Sequence, residues 1–165
     1  MRIKSAVTVT LLVVAGSVLA RAQGAPSIQG AWRVTDVVVT GANAETNKNP
    51  QPGLYLFTRK HYSIVTDNAT APRKQFGAAR EPGPLTDAEK IARYEAWDKF
   101  SANSGTYEVS GNTITAHPLV AKNPAVMGPA ATREFRIEGN TLTVIRKSAP
   151  GQPVSETTTR LTRVE

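Results

Sequence analysis

Two histidines, His61 and His117, are the only side chains in this 165-residue chain whose ordinary titration lies near neutral pH. Two are too few for a histidine-based metal site. The chain carries no His-x-x-x-His pair and no Asp-x-Asp spacing, so no metal motif is read. It has no cysteine, which excludes disulfides, thiolate metal sites, a cysteine nucleophile and a lipid-modified cysteine. No Gly-x-Ser-x-Gly and no glycine-rich phosphate loop occurs. Ser101, Ser104 and Ser110 sit in polar, turn-like surroundings as ordinary loop serines. No cofactor is expected.

Five residues remain as candidates for binding a ligand: His117, Arg133, Tyr62, Tyr107 and Trp97. His117 precedes Pro118 and shares strand parity with Thr113 and Thr115, opposite Ile114 and Ala116. It is either a rim or surface histidine, bonded at most to a neighbouring strand, or a polar group at a barrel mouth that orients a ligand or moves a proton. Arg133 has the parity of Phe135 and Ile137. If those point inward, Arg133 is an inward charge near a barrel end, and it either pairs with an acid such as Asp36 or receives an acidic ligand. Tyr62 and Tyr107 either pack plainly in the core or add hydroxyls to an apolar interior.

These residues sit on a pattern of strands. Apolar and polar residues alternate with period two, the signature of half-buried strands. Trp32, Val34 and Val38 share one face of a first strand, with Asp36 among them. Leu54 to Phe57 form a second. Tyr62 and Ile64, Tyr107 and Val109, Ile114 and Ala116, Phe135 and Ile137, and Leu142 and Val144 mark five more. Thr157, Thr159, Leu161 and Arg163 mark an eighth. Ser110-Gly111-Asn112 and Gly139-Asn140 supply tight hairpin turns. Asp67 to Leu85, with Pro72, Pro82, Gly83 and Pro84, reads as a long loop. It leads into a short helix from about Thr86 to Phe100. Thr86-Asp87-Ala88-Glu89 is a capping box, and Ile91, Tyr94, Trp97 and Phe100 follow on one face. That face packs against the barrel or covers its open end as a lid. Eight antiparallel strands with short connections predict an all-β, up-and-down barrel with one inserted helix. Closure removes two long edges and leaves room for side chains or one small ligand.

Residues 1–22 read as a secretory signal peptide. Arg2 and Lys4 precede an uncharged apolar run from Ala6 to Ala20. Ala20-Arg21-Ala22 is a small-x-small site, with Val18-Leu19-Ala20 as an alternative. About 15 apolar residues are short for a spanning helix, which needs roughly 20. The domain then runs over 28–165, in an extracytoplasmic compartment, periplasmic or secreted, without stable membrane insertion. The whole chain carries +7, and removing Arg2, Lys4 and Arg21 leaves about +4. The remaining Lys and Arg are scattered in runs of at most two, where a nucleic-acid site needs a clustered stripe. No nucleic-acid partner is expected, and no feature sets an oligomeric state.

Gly30-x-Trp32 at the start of the first strand resembles the lipocalin opening motif. Gly53-Leu54-Tyr55, Tyr94 and Trp97, Gly105-Thr106-Tyr107, His117, Pro124, Gly128 and Arg133-Glu134-Phe135 follow in the order of the bacterial and fungal lipocalin-like domain family. The resemblance covers roughly Ile28 to Val164. Two departures separate the chain from transport lipocalins: it ends in a strand where they carry a helix, and Leu161-Thr162-Arg163 stands where family members often place a tryptophan. Gly30, Trp32 and Arg163 then read as structural closure of one barrel end. Gly30 admits the chain tightly, Trp32 plugs the floor, and Arg163, or alternatively Arg160, lies on the indole. What the resemblance implies is a barrel that binds a small apolar or amphipathic ligand. Two other readings stand beside it: an isomerase or cyclase using His117 or Arg133, and a packed structural or stress protein of the envelope.

Overall fold

The computed structural model describes residues 27–74, 76 and 84–165. The expected leader, and Pro82 and Gly83 of the expected loop, lie outside the described residues. The alternating segments form strands β1 (Gly30–Gly41), β2 (Glu45–Asn47), β3 (Gly53–Phe57), β4 (His61–Asp67), β5 (Phe100–Ser110), β6 (Thr113–Ala121), β7 (Ala131–Glu138), β8 (Thr141–Lys147) and β9 (Ser155–Arg163). From β3 onward each pairs antiparallel with its successor. β1 pairs with β3 on one side and with β9 on the other, so β1 and β3–β9 close an eight-stranded barrel. No helix among the described residues is long and apolar enough to cross a membrane.

Polar Glu45-Thr46-Asn47 gives no strand signal, yet it forms β2. The cause is tertiary. β3 pairs with β1 only from Gly30 to Arg33, which leaves the distal half of β1 with an unpaired edge. β2 folds back onto that edge at Val37, Val38 and Val39.

A second departure decides what faces the interior. In the β1–β9 ladder Val34 pairs with Leu161 but Asp36 pairs with Arg160, so Thr35 is an extra residue on β1. Such a bulge reverses the parity of everything beyond it. Val37 packs on the core in place of Val38, and Val37 and Val39 face the interior. Asp36 accepts hydrogen bonds from Lys48 at 3.0 Å and Arg160 at 3.4 Å. The expected pair between Asp36 and Arg133 does not form.

Helix α1 (Asp87–Asp98) starts where the capping box places it. The Thr86 hydroxyl accepts from the Glu89 backbone N–H at 3.3 Å, and the Glu89 carboxylate accepts from the Thr86 backbone N–H at 2.8 Å. The Thr86 hydroxyl also donates to that carboxylate at 2.7 Å, and this bond, with the one from the Thr86 backbone N–H, holds the Glu89 carboxyl below the usual range. The helix ends earlier than its apolar spacing suggests, and Phe100 opens β5 instead. Lys122 donates to the carbonyls of Trp97 and Asp98 at 2.6 and 2.9 Å. It thereby satisfies acceptors that a helix end leaves free and meets the negative end of the dipole. The aromatic face meets the barrel only at its last turn, where the Trp97 ring lies 5.5 Å from that of Phe100 and beneath Lys122; Ile91, Tyr94 and Trp97 remain 58, 67 and 53% exposed.

The core is a belt of cross-strand neighbours. Val34, Leu161, Leu142 and Ile137 sit opposite one another in register across β1, β9, β8 and β7. Trp32, Leu142 and Leu161 are wholly buried. Burying side chains of this size is worth roughly 1.5–3 kcal/mol each.

Candidate functional site

The two ends of the barrel differ by connectivity. The β3–β4, β5–β6 and β7–β8 turns, the start of β1 and the end of β9 meet at one end. The long connections after β4, β6 and β8 leave from the other.

The first end is shut. Ile28 accepts a hydrogen bond at 2.7 Å from the indole N–H of Trp32. The Arg163 guanidinium lies 4.0 Å above the indole centroid and donates to the carbonyls of Ser27 at 2.7 Å and Gln29 at 2.6 Å. Gly30 adopts φ +126°, and a Cβ there would stand 2.4 Å from the carbonyl oxygen of Glu165. No side chain fits that geometry without displacing the chain terminus. Tyr107 belongs to this floor. Its hydroxyl donates to the Thr58 carbonyl at 2.7 Å, and its ring meets Phe57 edge-on at 5.2 Å. Its phenol is therefore committed to structure and does not line the cavity.

The second end holds a cavity of about 370 Å³. Val34, Val37 and Val39 of β1, Ile64 of β4 and Val144 of β8 form its apolar wall. Tyr55, Arg133, Arg146, Thr157 and Thr159 supply polar groups from β3, β7, β8 and β9. Glu45 and Asp67 lie in the lining, and Asp67 is paired with Arg73. The cavity narrows toward the floor into a recess of only about 10 Å³, lined by Tyr62, Phe57, Ile114 and Ala116, with Arg133 and Tyr55 at the junction. Burial raises the phenol of Tyr55 above its ordinary range, against the opposing pull of Arg133, a hydrogen bond with Thr159, and Arg146. Burial likewise raises Tyr62, again opposed by Arg133. The Tyr62 hydroxyl is buried without a hydrogen-bond partner.

The five candidates separate. Arg133 lines the cavity, and Tyr62 lines its recess. Tyr107 lies in the floor. Trp97 is exposed on α1, and no residue of α1 lines the cavity, so the helix is not a lid here. His117 is exposed on the outer face of β6, where it pairs in register with Thr106. A catalytic reading that joins His117 and Arg133 needs both in one cavity, and the barrel wall separates them. Sequence reasoning missed Tyr55 and Arg146, although each has a parity signal: Tyr55 alternates with Phe57, and Arg146 with Leu142 and Val144. Val37 and Val39 had none, because the bulge at Thr35 breaks the alternation.

The chain is similar to a lipocalin-like protein from Bacteroides uniformis, with 14% identity, a TM-score of 0.43, and coverage of 82% of this chain and 96% of that one. It is also similar to an uncharacterized protein from Bacteroides eggerthii, with 8% identity, a TM-score of 0.41, and coverage of 80% and 97%. No curated protein matches it. The lipocalin-like domain matches residues 29–163, from the residue before Gly30 to the arginine that caps Trp32, and the chain belongs to the lipocalin-like domain family.

Proposed function

We propose that this chain is an extracytoplasmic barrel that binds one small amphipathic molecule in its open-end cavity. The observation that carries the reading is the cavity itself, about 370 Å³ above a sealed floor. Ligand pockets typically run about 300–1,000 Å³, mostly apolar with a few convergent polar groups. This one sits near the lower bound. It suits a compact ligand of up to about three rings or a short chain, and a long acyl chain exceeds it. The apolar wall of Val34, Val37, Val39 and Val144 supplies burial; Tyr55, Arg133 and the threonines of β9 supply orientation.

Native mass spectrometry of the exported protein tests the binding. The expected spectrum contains a second species heavier by one small molecule, lost on mild activation. A crystal structure with a filled interior overturns the reading. The compartment is tested separately by sequencing the N-terminus of the protein recovered outside the cytoplasm. The expected start is Arg21 or Gln23, and an intact Met1 on the recovered protein refutes cleavage.

A further inference from the structure

We infer that the ligand is an organic anion, with its acidic group held between Arg133 and Arg146 and its apolar body against the valine wall of β1. The inference rests on the reading of the cavity as a ligand pocket and adds the charge and orientation of the ligand.

Strand register is the first observation. The β7–β8 ladder runs to Glu134 opposite Ile145. The next step of the same register sets Arg133 across from Arg146, and both line the cavity. Like charges directly opposite one another on neighbouring strands are destabilising. Surface cations ordinarily offset such a conflict with acids, as Arg160 does with Asp36 and Lys147 with Glu134. Among the described residues, neither Arg133 nor Arg146 makes an ion pair with any acid. Asp67 in the lining is engaged by Arg73.

A surplus of donors is the second observation. Tyr55 stands within the field of both guanidiniums. Beneath Arg133 the Tyr62 hydroxyl, on a side chain 97% out of solvent, has no hydrogen-bond partner. Buried polar groups are normally paired, and each exception calls for an explanation. Arg133, Tyr55 and Tyr62 meet at the junction and the exposed Arg146 lines the cavity beside them, while the unpaired acid of the lining, Glu45, lies on exposed β2. The result is a donor-rich site with no acid paired to its guanidiniums. A carboxylate or sulfonate supplies what it lacks: several acceptor oxygens and a negative charge, with geometry suited to bidentate arginine contacts. The valines of β1, across β9 from Arg146, then face the apolar part.

A matched pair of fluorescent probes tests this. 1-Anilinonaphthalene-8-sulfonate and N-phenyl-1-naphthylamine share one aromatic scaffold and differ in the sulfonate. The protein, expressed whole, is titrated with each, alongside R133M, R146M and the double variant. A Val39→Trp variant, which fills the cavity, locates the probe. The wild type is expected to prefer the sulfonate by about tenfold or more, the scale of a charge-assisted contact. R133M and the double variant are expected to lose that preference while binding the neutral probe as before, and Val39→Trp is expected to lose both probes. Equal binding of the two probes by the wild type overturns the anion site and leaves the pocket standing. A sulfonate preference that survives in the double variant overturns the assignment to these arginines. Binding of neither probe overturns both the anion site and the pocket.

Discussion

Replacing Tyr62 by phenylalanine should make the unliganded protein more stable. Tyr62 is 3% exposed, and its hydroxyl is out of reach of solvent with no partner. An unsatisfied buried hydroxyl costs about 1–3 kcal/mol relative to water. Phenylalanine removes that cost and keeps the ring, which packs with Phe57, Ile64 and Ile114 in the core cluster. The lost oxygen leaves a gap smaller than a methyl group, and its missing dispersion contacts give back a few tenths of a kcal/mol. The net expectation is about 1 kcal/mol of added stability, or roughly 3 °C in Tm for a domain of this size. Equilibrium urea unfolding, followed by tryptophan fluorescence, measures it. The midpoint should rise with the slope unchanged, because the surface exposed on unfolding is the same. A loss of 1 kcal/mol or more would show that the hydroxyl has a partner and is no free donor for a ligand. Alkaline pH supplies an independent arm. Burial raises the Tyr62 phenol, so the unfolded chain ionises there first. The stability tied to that neutral phenol is whole below pH ~10, the unfolded value, and is lost as pH rises through the folded value. Tyr62→Phe should therefore lose less stability than wild type above pH ~10.

Three further outcomes follow from the same geometry. Arg163→Met removes the indole contact and two charge-assisted hydrogen bonds to partly hydrated carbonyls, and should cost about 2–4 kcal/mol in urea unfolding. Its affinity for either naphthalene probe should stay within twofold, and a larger loss would place the floor within the site. His117→Ala should change stability by less than about 0.5 kcal/mol and leave probe binding untouched, as expected for an exposed outer-face side chain; a tenfold loss of affinity would return His117 to the site. Spectrophotometric titration should show Tyr55, Tyr62 and Tyr107, three of the four tyrosines, ionising later in the native protein than in denaturant, since burial raises all three. Four superimposable titrations would contradict that burial.

Eight strands, their order, both glycine-asparagine turns and the helix start were legible because each rests on local chemistry. Period-two alternation marks a strand wherever one face is buried, and a threonine with a glutamate three residues on satisfies helix-end donors regardless of what lies beyond. What escaped was set by tertiary partners. β2 exists because β3 stops short along β1. The helix ends at Asp98 because Phe100 pairs with Asp67 in the β4–β5 ladder, and Lys122, just past β6, satisfies the carbonyls left free. The exposed aromatic face of α1 copies the spacing of a buried one, and spacing alone does not say which face finds a neighbour.

The site was legible in proportion to the straightness of its strands. β7 and β8 keep their alternation, so the parity of Arg133 with Phe135 already points it inward, and the parity of Arg146 with Leu142 and Val144 does the same. β1 does not, and one extra residue at Thr35 moved Asp36 from the interior to the exterior. That reversal separates the only acid on an expected inward face from Arg133. Had β1 run without a bulge, Asp36 would share the interior with Arg133, and the two would offset each other as an ordinary buried pair. With the bulge, Asp36 is taken by Lys48 and Arg160 on the outer face, and Arg133 is left without an ion-pair partner, the unpaired acid of the lining, Glu45, lying on exposed β2. The irregularity that defeats the sequence pattern is therefore also what leaves the cavity with a charge for a ligand to meet.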